Sequence, residues 1–189
     1  MSLAEVKEYL CTVDPKLRIL FEAVELDLES LYRPPYVALI GAVVGQRIRY
    51  TEAKKIRGQI FQCLGTNFTP QDLLNLPERD RRKIGCNWEL LDRVSREIVT
   101  RHGDSDSEGC LTIADIRQLQ DVPGIGPWTI ENTLVTSFLD WDIFPEGDKF
   151  LESRIRKLYG QMTRSEIRSV TERWSPYRTL VTWYLWRWF

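Results

Sequence analysis

Hydrophobic residues recur every three or four positions along most of the chain, and no segment alternates convincingly between apolar and polar residues. This spacing is typical of amphipathic helices, which bury one stripe of side chains against a core. The clearest stripes are Leu17, Leu20, Phe21 and Val24; Val37, Ile40, Val43 and Val44; Ala53, Ile56, Ile60 and Leu64; and Trp88, Leu91, Val94 and Ile98. The pattern predicts an all-α protein.

Residues that favour helix starts stand in front of several apolar stripes. Patterns of the capping-box type begin at Ser2, Thr112 and Thr163. Asp148 precedes another stripe, at the position where an N-cap residue belongs. The stretch from His102 to Gly109 is the one segment that looks like a flexible loop, and no repeat or linker-like composition divides the chain.

A pair of glycines, Gly124 and Gly126, separates two segments with helical character. Glycine there allows positive φ and lets another backbone approach closely, so the pattern indicates a helix, a tight turn and a second helix. Pro127 suits the first position of the second helix, whose outward-pointing amides are natural donors to a phosphate. The alternative is that this segment is only a turn between helices.

Downstream of this turn, the segment Phe144-Pro-Glu-Gly-Asp148 ends in a carboxylate. At a helix N-terminus the dipole favours the ionised form of Asp148, which can then stabilise positive charge on a sugar whose bond to a base is breaking. The alternative is that Asp148 is only a helix cap.

The 189 residues are 43% hydrophobic, which suits one or two small domains with a buried core. The net charge is only -1, although basic residues gather in two places. These clusters are Arg47, Arg49, Lys54, Lys55 and Arg57, and Arg79, Arg81, Arg82 and Lys83. They indicate either a basic face for a polyanion or ordinary solvated helix surfaces.

Four widely spaced cysteines, at positions 11, 63, 86 and 110, form no Cys-x-x-Cys pair and suggest neither a zinc site nor a disulfide framework. No apolar leader or membrane-length apolar run is present. We therefore expect an intracellular protein with no membrane association.

The segment Leu119 to Gly126 resembles the hairpin of the helix-hairpin-helix DNA glycosylase superfamily, which has the pattern Leu-x-x-Val/Ile-Pro-Gly-Ile/Val-Gly. In that superfamily the hairpin grips the DNA backbone, and an Asp about twenty residues later is catalytic. The resemblance implies that Gly124, Gly126 and Thr129 bind DNA and that Asp148 is the catalytic residue.

A second segment, Trp174 to Trp186, is similar to the Trp-x-Pro-Tyr/Trp-Arg ending of the alkylated-base branch, typified by bacterial 3-methyladenine DNA glycosylase II. The branch also has the Trp-Thr pair found here at Trp128. The resemblance implies a base pocket lined by Trp128 and Trp186, whose indole faces would stack on an alkylated, cationic base. Core packing is the alternative for both tryptophans. Asn132 departs from the aromatic residue of the branch and would read a base edge, which leaves the lesion open.

The junction between two helices, Tyr36 to Gly45 and Thr51 to Leu64, matches the superfamily loop that wedges into DNA where a base has been expelled. Gln46 and Arg47 occupy it. Arg47 departs from the usual small apolar or amide residue, so it is either a wedge that stacks and pairs or a phosphate-binding or solvent-exposed arginine.

Superfamily members that also cleave the strand carry a lysine at the position of Trp128, so the resemblance implies a monofunctional enzyme. Lys149 adjoins Asp148 but is about 100° away around the helix and is expected to face elsewhere. The absence of a cysteine after Cys110 argues against the iron-sulfur loop of some relatives. The resemblance implies no required cofactor, only a structural monovalent cation on the backbone carbonyls of Gln120, Val122 and Ile125.

The resemblance further implies a single glycosylase module over residues 1–189, with a hairpin lobe at 36–144, a second lobe from 1–35 and 145–189, and an active cleft between them. The expected partner is double-stranded DNA containing a damaged base, bound by a monomer. Two alternatives remain: a glycosylase for mismatched or oxidised bases, and a non-catalytic hairpin module that binds DNA.

Overall fold

A computed structural model describes residues 2–103 and 111–188 of the chain. The described residues form α-helices, one 3₁₀ turn and no strand, so the predicted all-α class is confirmed. The helices are α1 Leu3–Val13, α2 Leu17–Ala23, α3 Leu28–Leu31, α4 Pro35–Gly45, α5 Tyr50–Leu64, α6 Pro70–Leu74, α7 Glu78–Lys83, α8 Trp88–His102, α9 Ile113–Gln118, α10 Pro127–Thr136, α11 Lys149–Tyr159, α12 Arg164–Glu172 and α13 Arg178–Arg187, with the 3₁₀ turn at Leu119–Asp121.

Several helix ends differ from those predicted. The helix α8 includes His102 and ends at Gly103, whose φ of +72° is typical of a glycine that closes a helix. The rest of the predicted loop up to Gly109, together with Cys110, lies outside the described residues. The helix α10, the second helix of the hairpin, ends at Thr136, where the chain turns and Phe138 adopts a φ of +51°.

The chain groups into two compact units. One comprises Arg33–Leu139 and is called the hairpin unit; the other comprises Met1–Tyr32 and Asp140–Phe189 and is called the terminal unit. The lobe predicted from sequence, 36–144, begins and ends a few residues later than the hairpin unit.

The hairpin unit is built around α4, which is buried on nearly every side. Residues from Pro35 to Ile40 and from Ala42 to Val44 are all buried, and the helix packs against α5, α8 and α10. Its only glycines, Gly41 and Gly45, leave a strip of exposed backbone where other side chains can lie close. A helix with no polar face is expected at the centre of a small bundle.

The terminal unit has a core formed mainly by α2, α11 and α13. Trp174 and Tyr184 are its largest fully buried side chains, and Phe21 contacts Tyr184 edge to face with ring centroids 4.7 Å apart. The capping boxes predicted at Ser2 and Thr163 are present in this unit, and the one at Thr112 is present in the hairpin unit.

The buried carboxylate of Asp14 links three parts of the terminal unit. Its Oδ2 accepts hydrogen bonds from Tyr159 Oη at 2.6 Å, Trp174 Nε1 at 3.2 Å and Arg173 Nη2 at 3.2 Å. Only 3% of Asp14 is exposed. Its Oδ1 also stabilises the turn before α2 by accepting a hydrogen bond from the amide of Lys16 at 3.3 Å. A buried carboxylate with this many donors has its hydrogen-bonding capacity filled. Its removal would leave these donors without an acceptor.

None of the described helices has the length and apolar character needed to cross a bilayer.

Replacing Asp14 with alanine is expected to lower the free energy of unfolding by about 2 to 4 kcal/mol, because the buried donors of Tyr159 and Trp174 lose their acceptor. Chemical denaturation followed by tryptophan fluorescence measures the change. The control is Asp27→Ala, which removes an exposed N-cap of α3 and should cost about 1 kcal/mol or less. Equal losses in the two variants would contradict the role assigned to Asp14.

Candidate functional site

The turn between α9 and α10 is a tight hairpin anchored by buried apolar side chains. Val122 and Ile125 are buried, and the amide of Ile125 donates to the carbonyl of Val122 at 3.0 Å. Gly124 adopts a φ of +98°, and a β-carbon there would lie 3.0 Å from Leu90 Cδ1. The backbone conformation therefore favours glycine at this position, and any larger residue would also have to displace the end of the Leu90 side chain.

The second glycine of the hairpin has a different role. Gly126 has an extended backbone with φ −111°, and a β-carbon there would meet no atom within 4 Å. It is the N-cap residue of α10, has no side chain to cap the helix and is followed by Pro127 at the first helical position. The helix therefore begins without a side-chain cap, as expected where an anion is to approach.

Two side chains hold the hairpin through its carbonyl groups. Gln46 Nε2, at the end of α4, donates to the Gly124 carbonyl at 3.0 Å and to Thr129 Oγ1 at 2.8 Å. Arg93 Nη1 donates to the Pro123 carbonyl at 2.9 Å. The structure thus brings Gln46, Gly124 and Thr129 together, with the Gln46 amide used to fix the hairpin to the junction between α4 and α5.

Arg47 stands at the tip of this junction. It is exposed and adopts a φ of +59°, a conformation that costs a non-glycine residue roughly 1 to 3 kcal/mol and occurs mostly where surrounding structure imposes it. The hydrogen bonds of Gln46 impose it here by fixing the residue directly before it. The guanidinium group of Arg47 pairs with no carboxylate among the described residues.

Trp128 lies in the first turn of α10 and covers Gly45 of α4. A β-carbon at Gly45 would be 3.5 Å from Trp128 Cη2, so the indole rests against the helix backbone. Trp128 remains partly exposed, as does Asn132 one turn later on the same helix face. The side chain of Asn132 forms no hydrogen bond with the described residues.

In the terminal unit, Asp148 is the N-cap of α11, as the sequence predicts. Its Oδ1 accepts hydrogen bonds from the amides of Phe150 at 2.9 Å and Leu151 at 3.1 Å. Gly147, at φ +82°, forms the turn that brings the Asp148 amide to the Pro145 carbonyl at 3.2 Å. The carboxylate is therefore held at a helix N-terminus while remaining partly exposed, and Lys149 is exposed at the first position of the helix.

Arg178 anchors the segment that leads to Asp148. Its Nε donates to Asp142 Oδ1 at 2.7 Å, and its Nη2 donates to the Asp142 carbonyl at 2.7 Å and to Oδ2 at 3.2 Å. Ser175 Oγ adds a bond to Asp142 Oδ2 at 2.8 Å. Burial opposes ionisation of this carboxyl, but these hydrogen bonds outweigh it and hold the pKa of Asp142 below its ordinary value.

Thr179 completes the anchor. Its amide donates to the Trp141 carbonyl at 3.0 Å, and its hydroxyl donates to the Asp140 carbonyl at 2.8 Å. The sequence pattern identified the segment from Trp174 to Trp186, but the only functional role predicted in it was that of an aromatic pocket residue. The polar residues Ser175, Arg178 and Thr179 were missed, although an arginine and a threonine within a sequence signature are themselves a signal of a specific polar contact.

Trp186, the other predicted pocket residue, is partly buried against the core of the terminal unit. Its ring meets that of Trp183 edge to face at 5.2 Å. Part of the Trp186 side chain is therefore used for packing against Trp183. Its role in a base pocket stays a prediction.

The chain is similar in sequence to DNA-3-methyladenine glycosylase 1 of Schizosaccharomyces pombe. The two are 26% identical over 208 residues, which cover 98% of this chain and 87% of the relative. No protein-family model matches the chain.

Solved structures share the fold. A 3-methyladenine DNA glycosylase from S. pombe, in complex with abasic DNA, matches with a TM-score of 0.76 and 24% identity, covering 96% of this chain and 95% of that one. An 8-oxoguanine glycosylase/lyase from Clostridium acetobutylicum matches with a TM-score of 0.71 and 17% identity, covering 99% and 69%. These structures show the fold, and the similarity in sequence confirms the resemblance to the alkylated-base branch of the helix-hairpin-helix DNA glycosylase superfamily.

The two hairpin glycines are expected to respond differently to alanine. Gly124→Ala should lower the free energy of unfolding by about 1 to 3 kcal/mol, because alanine strains a positive φ and would press on Leu90. Gly126→Ala is the matched control and should leave stability nearly unchanged, since its backbone is extended and its surroundings are open. Thermal unfolding measures both, and a larger loss at Gly126 would contradict this assignment.

The contact between Arg178 and Asp142 is expected to make the free energy of unfolding fall at acidic pH. Because the pKa of Asp142 is lowered on folding, its contribution is complete above the unfolded value of about 4 and is lost as the pH falls through the folded value. Urea unfolding between pH 7 and pH 3 should therefore show a smaller acid-dependent loss for Arg178→Met than for wild type. The matched control is Arg187→Met on the same helix, and an acid-dependent loss as small in that variant would contradict the prediction.

Proposed function

We propose that this chain is a monofunctional DNA glycosylase: it expels a damaged, alkylated purine from duplex DNA and hydrolyses its N-glycosidic bond, leaving an abasic site in base excision repair. The observation that carries the proposal is the carboxylate of Asp148, which two backbone amides hold at the start of α11 and which the resemblance to the superfamily implies is the catalytic Asp. The named relatives support the substrate class.

The hairpin supplies the grip on DNA in this proposal. A phosphate would approach the uncapped start of α10, where Gly126 presents no side chain to obstruct it. Gln46 and Arg93 keep the hairpin carbonyls turned away from that phosphate by donating to them. Arg47, exposed at the tip of the neighbouring junction, would occupy the space of the expelled base or bind a phosphate beside it.

Expelling a base costs a few kcal/mol, and the cost is smallest for a damaged, poorly stacked base. Trp128 would repay part of it by stacking on the expelled base, since its ring is fixed against Gly45 and remains partly exposed. Trp186 is the second candidate for stacking.

The reaction needs stabilisation of positive charge on the sugar as the base leaves. The carboxylate of Asp148 would supply it as an anion already oriented by its amide donors, so no rearrangement accompanies the reaction. The bond between the sugar carbon and the base nitrogen breaks, and a cationic alkylated purine leaves as a neutral base. The oxygen of a water molecule then bonds to the sugar carbon, and the water loses one proton to solvent, which completes the hydrolysis.

The superfamily hairpin implies a monovalent cation, and its predicted ligands in this chain have oxygens to offer. The carbonyls of Gln120 and Ile125 accept no hydrogen bond from the described residues, while that of Val122 accepts from Ile125. A cation on these oxygens would add positive charge beside the DNA phosphate. The proposal assigns it that structural role and no step in the reaction.

Asp148→Asn is expected to reduce base release from alkylated duplex DNA by about 100-fold or more, because it removes the charge and keeps the cap. Release is followed by liberated base and by alkali-induced strand breaks at abasic sites. Asp27→Asn is the matched control, since Asp27 caps α3 with the same pair of amide bonds. Full activity in Asp148→Asn contradicts the mechanism, and DNA binding by a wild type that releases no base favours a non-catalytic module.

The same assay tests the absence of strand cleavage. The similar fold of a glycosylase/lyase makes this test necessary. Without alkali, the product strand should stay intact, and borohydride should trap no covalent complex, because Trp128 replaces the lysine that would form one. Trapping that disappears in Lys149→Met would assign a lyase step to Lys149 instead.

A further inference from the structure

One arginine of the hairpin unit has a position that the proposed function does not use. The side chain of Arg57, on α5, runs across the glycine strip of α4: a β-carbon at Gly41 would lie 3.4 Å from its Cδ. Its Nη1 donates to the Gly41 carbonyl at 3.3 Å, and its guanidinium lies 5.7 Å from the centre of the Tyr50 ring. Arg57 is partly buried by these contacts.

Arg57 lacks the carboxylate partner that two other partly buried arginines have. Arg81 and Arg178 each pair with a carboxylate at 2.7 Å, whereas no carboxylate of the described residues lies within ion-pair distance of Arg57. One long bond to a carbonyl uses one of the five guanidinium donors. Burial lowers the pKa of Arg57 from its ordinary value, and the neighbouring Tyr50 opposes this shift only in part.

The guanidinium of Arg57 and the indole predicted to hold the base both lie near Gly45. Nη1 of Arg57 would be 3.9 Å from a β-carbon at Gly45, and Cη2 of Trp128 would be 3.5 Å from the same atom. The two side chains therefore converge on one backbone position within the hairpin unit. Asn132, on the same face of α10 as Trp128, adds a second polar group without a hydrogen-bond partner among the described residues.

We propose that Arg57 is a specificity-determining residue that donates hydrogen bonds to the acceptor edge of the expelled base, which assists the release of neutral 6-oxopurines and gives no assistance to cationic N7-alkylated purines. The inference rests on the proposed function and adds neutral 6-oxopurines to its alkylated substrates. Arginine pairs well with the O6 and N7 acceptors of a purine. Alkylation at N7 removes one of these acceptors and places a positive charge near an uncompensated guanidinium, which repels it.

A phosphate is the other acceptor that an arginine of this chain would bind. The exposed cations of the same helix region, Arg47, Arg49, Lys54 and Lys55, reach solvent directly, whereas Arg57 is drawn back along Gly41 towards Trp128. Its recessed position favours a group that enters beside the indole. Binding to DNA that contains an abasic site separates these two roles, because such DNA keeps the phosphates and lacks the base.

The test uses the full chain and duplexes with one hypoxanthine or one 7-methylguanine. For each lesion, kcat/KM is compared between wild type and variant. The two lesions are not compared with each other, because the cationic 7-methylguanine leaves more readily with any catalyst. Arg57→Met should reduce kcat/KM for hypoxanthine about 10-fold or more while leaving or raising that for 7-methylguanine. Arg57→Lys, which keeps the charge without the planar fork, should lose part of the hypoxanthine activity. Affinity for abasic-site DNA should not change in either variant.

Arg96→Met, an exposed arginine on α8 of the same unit, is the control and should alter neither lesion. Equal loss for both lesions in Arg57→Met, or weaker binding to abasic-site DNA, overturns the inference in favour of a structural or phosphate-binding role. A wild type that releases 7-methylguanine but no hypoxanthine overturns it while the proposed function stands. A wild type that releases neither 7-methylguanine nor any other alkylated base refutes the proposed function itself, whether or not it releases hypoxanthine.

Discussion

The structure of the hairpin unit depends on side chains that lie close to the backbone at its glycine residues. Gly124 combines a positive φ with close contact to Leu90, so its conformation strongly favours glycine. Gln46 can then reach the Gly124 carbonyl and Thr129, which fixes the end of α4 against the start of α10. Trp128 lies against Gly45, where a β-carbon would meet its Cη2 at an ordinary contact distance of 3.5 Å. The conformation of Gly124 thus sets the hairpin, and the packing of α10 against α4 positions the proposed stacking residue.

In the terminal unit, charge plays the corresponding organising role. Asp142 accepts from Arg178 and Ser175, and Thr179 holds the carbonyls just before it, so the chain ahead of Asp148 is tied to α13. Phe144 adds an edge-to-face contact with Trp174 at 6.1 Å. These contacts explain how the segment from Trp174 to Trp186 helps to position Asp148, which lies about thirty residues before it in the sequence. The proposed catalytic group is thereby positioned by polar contacts whose donors and acceptors are matched.

The arginines of the chain illustrate how burial decides what a charge does. Arg178 and Arg81 are partly buried and paired, so they stabilise the fold. Arg47 is exposed and strained, which suits a contact made with a partner in solution. Arg57 is partly buried and not paired with a carboxylate of the described residues, which is the arrangement expected of a residue that awaits a ligand.

The sequence by itself determined the all-α class, most helix starts, the hairpin with its two glycines and the N-cap position of Asp148. These features depend on neighbours a few residues apart, and the chemistry of caps, turns and apolar stripes is local. Only the tertiary structure decided that Gln46 bonds to Gly124, that Arg178 holds Asp142 and that Arg57 lies across Gly41 towards Trp128. Each of these pairs joins residues distant in sequence or depends on which helix face a side chain crosses. The sequence shows that an arginine is present, but its partner is set by packing between helices, and that packing decides whether its charge stabilises the fold or remains available for a ligand.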